Sequence, residues 1–151
     1  MDDPPTDCRN VVRPVLIDSS ERRLLLIPSA PDTEDDCWTV PTFPMRPGET
    51  VRRAAMRHLR RVAHLPALRI QPLIGRLSRS DVPHGDQYVV VVRPAGEGRP
   101  SAIRFAFAPE AEWWTTAELR RSGEQVEPAE LLDFMDGYWE GWLPDGEISL
   151  E

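Results

Sequence analysis

Apolar positions along the chain follow two rhythms, and these divide it into strands and helices. Val11 to Ile17 (VVRPVLI) is a dense, β-branched run that predicts a strand. Pro14 has no N–H for a ladder bond, which predicts an edge or irregular position for that strand. Asp18-Ser19-Ser20-Glu21 reads as a turn, and Arg23 to Ile27 (RLLLI) as the returning strand of a hairpin. Trp38 to Val40 is a short third strand. Pro41 to Gly48 holds three prolines and a glycine in eight residues and predicts a loop. Arg69 to Leu77 and Gln87 to Arg93 read as strands joined by the polar segment Ser78 to Asp86. Ala95 to Pro100 is a turn. Ala102 to Phe107 sets Ile103, Phe105 and Phe107 against smaller or charged neighbours, the alternation of a half-buried strand.

The second rhythm is helical. Thr50 to about Ala63 has a capping residue at its start and no interior Pro or Gly, and Pro66 follows its end. At about 100° per residue, Val51, Ala55, Leu59 and Val62 share one face, and Arg53, Arg57, Arg60 and His64 the opposite one. Trp113-Trp114 leads into a short helix near Thr116 to Arg121. Glu127-Pro128 predicts the start of the last helix, with Pro at the favoured first position and an apolar stripe of Leu131, Leu132, Met135, Tyr138 and Trp139. The end, Pro144 to Glu151, is acidic. Strands around a single mid-chain helix, followed by C-terminal helices, imply an α/β fold of the α+β type, a mixed sheet with helices packed on it. Residues 1–9, acidic and Pro-rich, read as a disordered lead-in to a single domain spanning 10–151.

Composition narrows the function. A chain of 151 residues buries a core without disulfides or a structural metal. The longest apolar runs, Leu24 to Ile27 and Val89 to Val92, fall far short of the ~20 residues a spanning helix needs. The opening MDDPPTDCRN is the reverse of a basic leader, so the expected compartment is the cytoplasm. A net charge of −7 argues against nucleic acid as a partner. All 18 basic residues are Arg, which suggests a GC-rich bacterial genome. It also makes every basic contact to an anion a guanidinium contact and rules out lysine chemistry. Cys8 and Cys37 have neither disulfide nor zinc spacing.

Trp38-Thr39-Val40-Pro41, then Gly48-Glu49-Thr50, Ala54-Ala55, Arg57-His58-Leu59 and Leu65 resemble a Nudix box with its usual lead-in. That family typically reads W-x-L-P-G-G, five residues, G-E-S/T, then A-A-x-R-E-L-x-E-E-x-G. The spacing from Glu49 to Arg57 fits without gaps. The N-terminal hairpin and the stretch Glu112 to Leu119 (EWWTTAEL) resemble the family's flanks, so the resemblance covers most of the chain. It implies a Nudix-like mixed sheet sandwiched between helices. In the family, the glutamates of the box hold Mg²⁺ ions that activate water and neutralise a diphosphate. The matching positions here are His58, Arg61 and Val62, while Thr42, Phe43 and His64 stand where the family has glycines. Only Glu49 and Arg57 remain of the charged set. The resemblance therefore implies a degenerate box, with no metal site and no cofactor. Independently of it, the segment 50–63 carries five Arg and no acid, which repels cations and attracts anions.

The candidate catalytic residues are Glu49 and His58, and the candidate ligand-binding set is Arg46, Glu49, Arg57, His58 and Arg61. Each has a structural alternative. Glu49 fits a helix N-terminus and an ion pair with Arg57. His58 borders the apolar face and fits a packed, hydrogen-bonded side chain. His58 and His64, about 240° apart around a helix, cannot share a metal. His84 falls in a loop. The Arg cluster from Arg52 to Arg61 is a solvated face, an anion site or a dock for acidic segments such as Asp32 to Asp36. Trp113 and Trp114 read as packing residues, and Trp139 and Trp142 as sheet packing or a homodimer contact. Three functional readings stay open. The first is a protein that binds a small anionic or nucleotide-like ligand, or a partner. The second is an enzyme with metal-independent acid–base chemistry on His58 and Glu49. The third is a Mg²⁺-dependent diphosphate hydrolase drawing carboxylates from Glu97, Glu110 or Glu112.

Overall fold

The structure, a computed structural model, describes residues 10–29, 37–62, 68–78, 85–94, 105 and 108–150. In chain order the elements are β1 (Val11–Asp18), β2 (Arg23–Pro28), β3 (Cys37–Thr39), β4 (Phe43–Pro44), α1 (Val51–Val62), β5 (Leu68–Leu77) and β6 (Gln87–Pro94). Then come β7 (Glu112–Trp114), α2 (Thr116–Ser122), β8 (Gln125–Glu127), α3 (Leu131–Glu140) and β9 (Gly146–Ser149). The sheet runs β8-β3-β2-β1-β6-β5-β9, with β4 also paired to β1 and β7 to β2. It is mixed: β1 lies parallel to β6 and antiparallel to β2 and β4.

Strand alternation builds two cores, one on each face. From β1, Val12 and Leu16 join Val90 and Val92 of β6 and Ala54, Ala55 and Leu59 of α1. The intervening Val15 and Ile17 join Val89 and Val91 and, from α2 and α3, Leu119, Leu131, Phe134 and Met135. The run Val89 to Val92 is uniformly apolar because helices cover both sides of that strand. This is the predicted mixed α+β sandwich, with α1 on one face and α2 and α3 on the other. No helix among the described residues is long and apolar enough to cross a membrane.

Three local expectations are corrected, and a fourth is decided between its alternatives. Of the two positions expected for Pro14, the structure shows the irregular one and not the edge, since β1 sits between β2 and β6. On its β2 side, β1 pairs β4 at Val11 and Val12 and β2 at Ile17 and Asp18, and Pro14 falls in the gap between them, where a missing N–H costs no ladder bond. The segment Pro41 to Gly48 is not all loop: Phe43 and Pro44 pair with Val12 and Val11. Glu127-Pro128 does not open the last helix. Gln125 to Glu127 pair with β3, and α3 begins at Leu131, whose N–H donates to Pro128 O (3.0 Å). The acidic end supplies a strand as well, β9, parallel to β5.

The predicted strand Ala102–Phe107 lies outside the described residues except for Phe105, which is buried and bridges Ala108. Leu65, His64, His84, Glu97, Cys8 and the acidic segment Asp32 to Asp36 also lie outside them. Helix α2 is held at its start by a capping box of Thr115 and Glu118. Trp139 packs on the α3 side, edge-on to Tyr138, whereas Trp142 is 74% exposed.

Gly75 in β5 marks where the C-terminal segment closes on the sheet. A Cβ there would stand 2.7 Å from Leu150 Cδ1 and 3.0 Å from Phe134 Cε1. Gly75→Val is therefore expected to destabilise the protein by about 1–3 kcal/mol through overpacking. The accompanying loss of hydrogen-exchange protection should be concentrated in β9, and urea unfolding with exchange mass spectrometry would read both.

Candidate functional site

The residues picked out by sequence meet where the segment after β3 turns into α1. Gly48, at φ +75°, makes a turn that an L side chain would strain. The turn delivers Glu49 to the foot of the helix. Thr50 caps α1 through Oγ1, which accepts from Arg53 N (3.2 Å). Along α1 the buried positions are Ala54, Ala55, His58 and Leu59, with Val51 and Val62 half-buried. The apolar stripe is thus rotated slightly from the predicted one, and His58 is inside it.

Glu49 and Arg57 form a bidentate pair: Arg57 Nε donates to Oε2 and Nη2 to Oε1, each at 2.8 Å. The Glu49 side chain retains only 9% of its exposure and that of Arg57 27%. Oε1 also accepts from Arg46 N (3.0 Å), and Glu49 N donates back to Arg46 O (3.0 Å). The Arg57 hydrogen bonds, reinforced by the Arg46 amide, bring the Glu49 pKa down to about 2. The same pairing pushes Arg57 up. Glu49 is therefore a carboxylate that already accepts three N–H bonds, two on Oε1 and one on Oε2, and that has little basicity left.

His58 is 8% exposed. Its ring stacks on Phe43 at a centroid distance of 4.5 Å and an interplanar angle of 8°. Its Nε2 lies 2.9 Å from Pro44 O; a carbonyl can only accept, so Nε2 carries the proton and donates. Burial lowers its pKa below 6.5, partly offset by the Pro44 carbonyl. Arg57 Nη2 also reaches Pro44 O (3.4 Å). The two adjacent side chains of α1 thus hold β4 against the helix, and β4 in turn pairs with β1.

Of the predicted set, Glu49, Arg57, His58 and the Arg46 backbone are brought together. Arg61 is not part of this network. It lies exposed in the last turn of α1 and makes no ion pair among the described residues, though its charge contributes to lowering His58. The Arg46 side chain is exposed too. Glu110 and Glu112 are exposed at β7 and just before it, and form no hydrogen bond or ion pair with the cluster among the described residues. Sequence reasoning missed Phe43 and Pro44. The one available signal was an aromatic residue in a Pro-rich segment otherwise poor in apolar side chains.

Among the described residues, no three His, Cys, Asp or Glu side chains group so as to hold a metal ion. The donor chemistry at His58, Arg61 and Val62 does not suit Mg²⁺, which takes hard oxygen ligands. It consists of an imidazole already donating to a carbonyl, a fixed cation and a hydrocarbon.

No protein-family model matches the sequence, and no curated protein matches it. Solved structures match the fold. The chain is similar to a Nudix hydrolase from Nitrosomonas europaea, with a TM-score of 0.67 at 17% identity, covering 95% of this chain and 80% of that one. It is similar to a C. elegans Ap4A hydrolase, with a TM-score of 0.62 at 17% identity, covering 87% of this chain and 98% of that one. It is also similar to the E. coli dihydroneopterin triphosphate pyrophosphohydrolase, with a TM-score of 0.62 at 14% identity, covering 91% and 97%. At these identities the likeness establishes a Nudix hydrolase-like fold.

Proposed function

We propose that this Nudix-fold protein does not carry out Mg²⁺-dependent diphosphate hydrolysis and instead binds a small anionic or nucleotide-like ligand, or a partner protein. The observation that carries this reading is the state of the box residues. The remaining carboxylate, Glu49, is closed by Arg57 and the Arg46 amide, and the positions matching the family's glutamates hold His58, Arg61 and Val62. The same geometry disfavours acid–base chemistry on this pair. A carboxylate with a pKa of about 2 is a poor base at neutral pH, and His58 has its Nε2 proton committed to Pro44. What the candidate set leaves available is the exposed guanidinium of Arg61, beside that of Arg46, each suited to bidentate contact with phosphate or carboxylate. One fold neighbour is named for a triphosphate substrate and another for Ap4A, which supports a phosphate-bearing ligand class.

Titration calorimetry with millimolar Mg²⁺ is expected to show no specific heat, and a nucleoside-diphosphate panel no Mg²⁺-dependent turnover. Turnover lost on Glu49→Gln would overturn the reading. Pyrophosphate is expected to bind α1 weakly, less at high ionic strength. Arg61→Glu is expected to cost that binding about tenfold or more, the effect of losing a charge-assisted contact.

A further inference from the structure

The exposed side of α1 is a band of guanidiniums. Its 12 residues hold five arginines and no acid. Arg57 is neutralised by Glu49, and Arg52 leans on β5, with Nη2 3.5 Å from Ile70 O. Arg53, Arg60 and Arg61 are exposed, and their guanidinium groups are in no ion pair among the described residues. At about 100° and 1.5 Å per residue, Arg53 and Arg60 lie within about 20° of each other around the helix. Arg61 stands about 80° to one side, and the three spread over about 12 Å of the axis.

Helix energetics does not account for this band. The macrodipole favours Arg60 and Arg61 in the last turn, but it opposes Arg53 in the first turn, where no acid stands. Like charges at i,i+3 and i,i+4 destabilise a helix, and Arg57 stands at those spacings from Arg53, Arg60 and Arg61. The chain has 25 acidic residues against 18 basic ones, so a shortage of partners is not the reason that α1 has none.

The shape of the surface selects its occupant. Small ligands are held in concave sites by converging groups, so a small anion gains little on the convex outside of a helix. A helix that lies in a lipid surface buries a wide apolar face there, and the apolar face of α1 is already packed on the sheet. A long polyanion such as nucleic acid would reach past α1 to the rest of a chain of net charge −7. A short acidic peptide meets only the local guanidiniums, because the Debye length is about 10 Å at 0.1 M salt. Carboxylates on one side of an extended peptide repeat every ~6.7 Å, so three of them span about 13 Å, the length of the band. Each can be taken bidentately by a guanidinium.

We infer that the exposed face of α1 docks an acidic segment of a partner protein through Arg53, Arg60 and Arg61. This rests on the reading that α1 serves anion contacts in place of a metal, and it names the occupant. The test uses the full chain and the blocked, fluorescently labelled peptide Glu-Ser-Glu-Ser-Glu-Ser, read by anisotropy. Citrate, with the same formal charge in compact form, is the competitor, and the Gln-Ser counterpart is the neutral control. At low salt the acidic peptide should bind wild type about fivefold or more tightly than citrate, and more weakly as salt rises. Arg53→Gln/Arg60→Gln should weaken the peptide about fivefold, the size expected from two exposed ion pairs. That variant should melt no lower than wild type and should keep the pyrophosphate binding assigned to Arg61. No binding of the acidic peptide, equal binding of citrate or of the neutral peptide, or equal affinity in the double variant overturns the dock. Pyrophosphate binding that persists in those cases leaves the small-ligand reading standing. Tighter binding of a thymidine hexanucleotide or of phosphatidylserine vesicles through the same two arginines gives the face to another occupant and overturns the peptide. Salt-dependent self-association that the double variant loses does the same in favour of a second copy.

Discussion

Leu59→Ala is expected to lower the unfolding free energy by about 2–5 kcal/mol, the range for truncating a fully buried Leu. Leu59 is completely buried in the α1-side core, against a β1–β6 wall that includes Val12, Leu16, Val90 and Val92. Ala54 and Ala55 are the other fully buried apolar residues of α1, and Val51, Met56 and Val62 pack against the same core partly buried. How far these three close over the gap sets where in that range the effect falls. For a chain of this size it corresponds to a fall in Tm of roughly 5–15 °C. Because α1 carries Arg57 and His58, the same variant should loosen their hold on Pro44. Urea unfolding measures the first effect and amide exchange at Met45 and Glu49 the second. A loss under about 1 kcal/mol would mean that α1 is not anchored through this side chain.

The second large effect is in acid. Glu49 has a folded pKa of about 2 against an ordinary 4.5, so folding favours its charged form. A depressed folded pKa contributes stability that is complete above the unfolded value and lost as pH falls through the folded one. The contribution should therefore disappear between about pH 4.5 and 2, with unfolding in that window taking up close to one proton on account of this group. Glu49→Gln removes the titration. Its stability profile should be flatter by about one proton across the window, and its stability near neutral pH lower, because Arg57 loses its ionised partner. His58 acts in the same direction from a higher starting point. Burial lowers its pKa below 6.5, so acidification from about pH 6.5 downward favours the unfolded chain, where the ring charges freely. Stability measured at half-unit steps for wild type, Glu49→Gln and His58→Gln separates the two limbs. An unchanged slope below pH 4.5 in Glu49→Gln would contradict the closed Glu49–Arg57 pair.

Much of this molecule is written in local pattern. The period of α1, its Thr50 cap and the β-branched runs of β1 and β6 are decided by neighbours in sequence, and the resemblance of the box fixed where Glu49, Arg57 and His58 would stand along the helix. The pairing of Glu49 with Arg57 is legible only through what the resemblance implies, since the two stand eight residues apart, about two turns of helix. What sequence could not supply depends on partners far along the chain. Gln125 to Glu127 and Gly146 to Ser149 are too short and polar to announce strands, and become so only because β3 and β5 offer free edges. Pro14 is tolerated inside the sheet because of a gap between β4 and β2 that exists only once both have docked. His58 is ambiguous on a helical wheel, and the arrival of Phe43 and Pro44 makes it a buried clamp. Arg69 and Arg93, separated by 23 intervening residues, face each other only through an antiparallel register. Local rules fix which elements form; long-range pairing decides which side chains share a site.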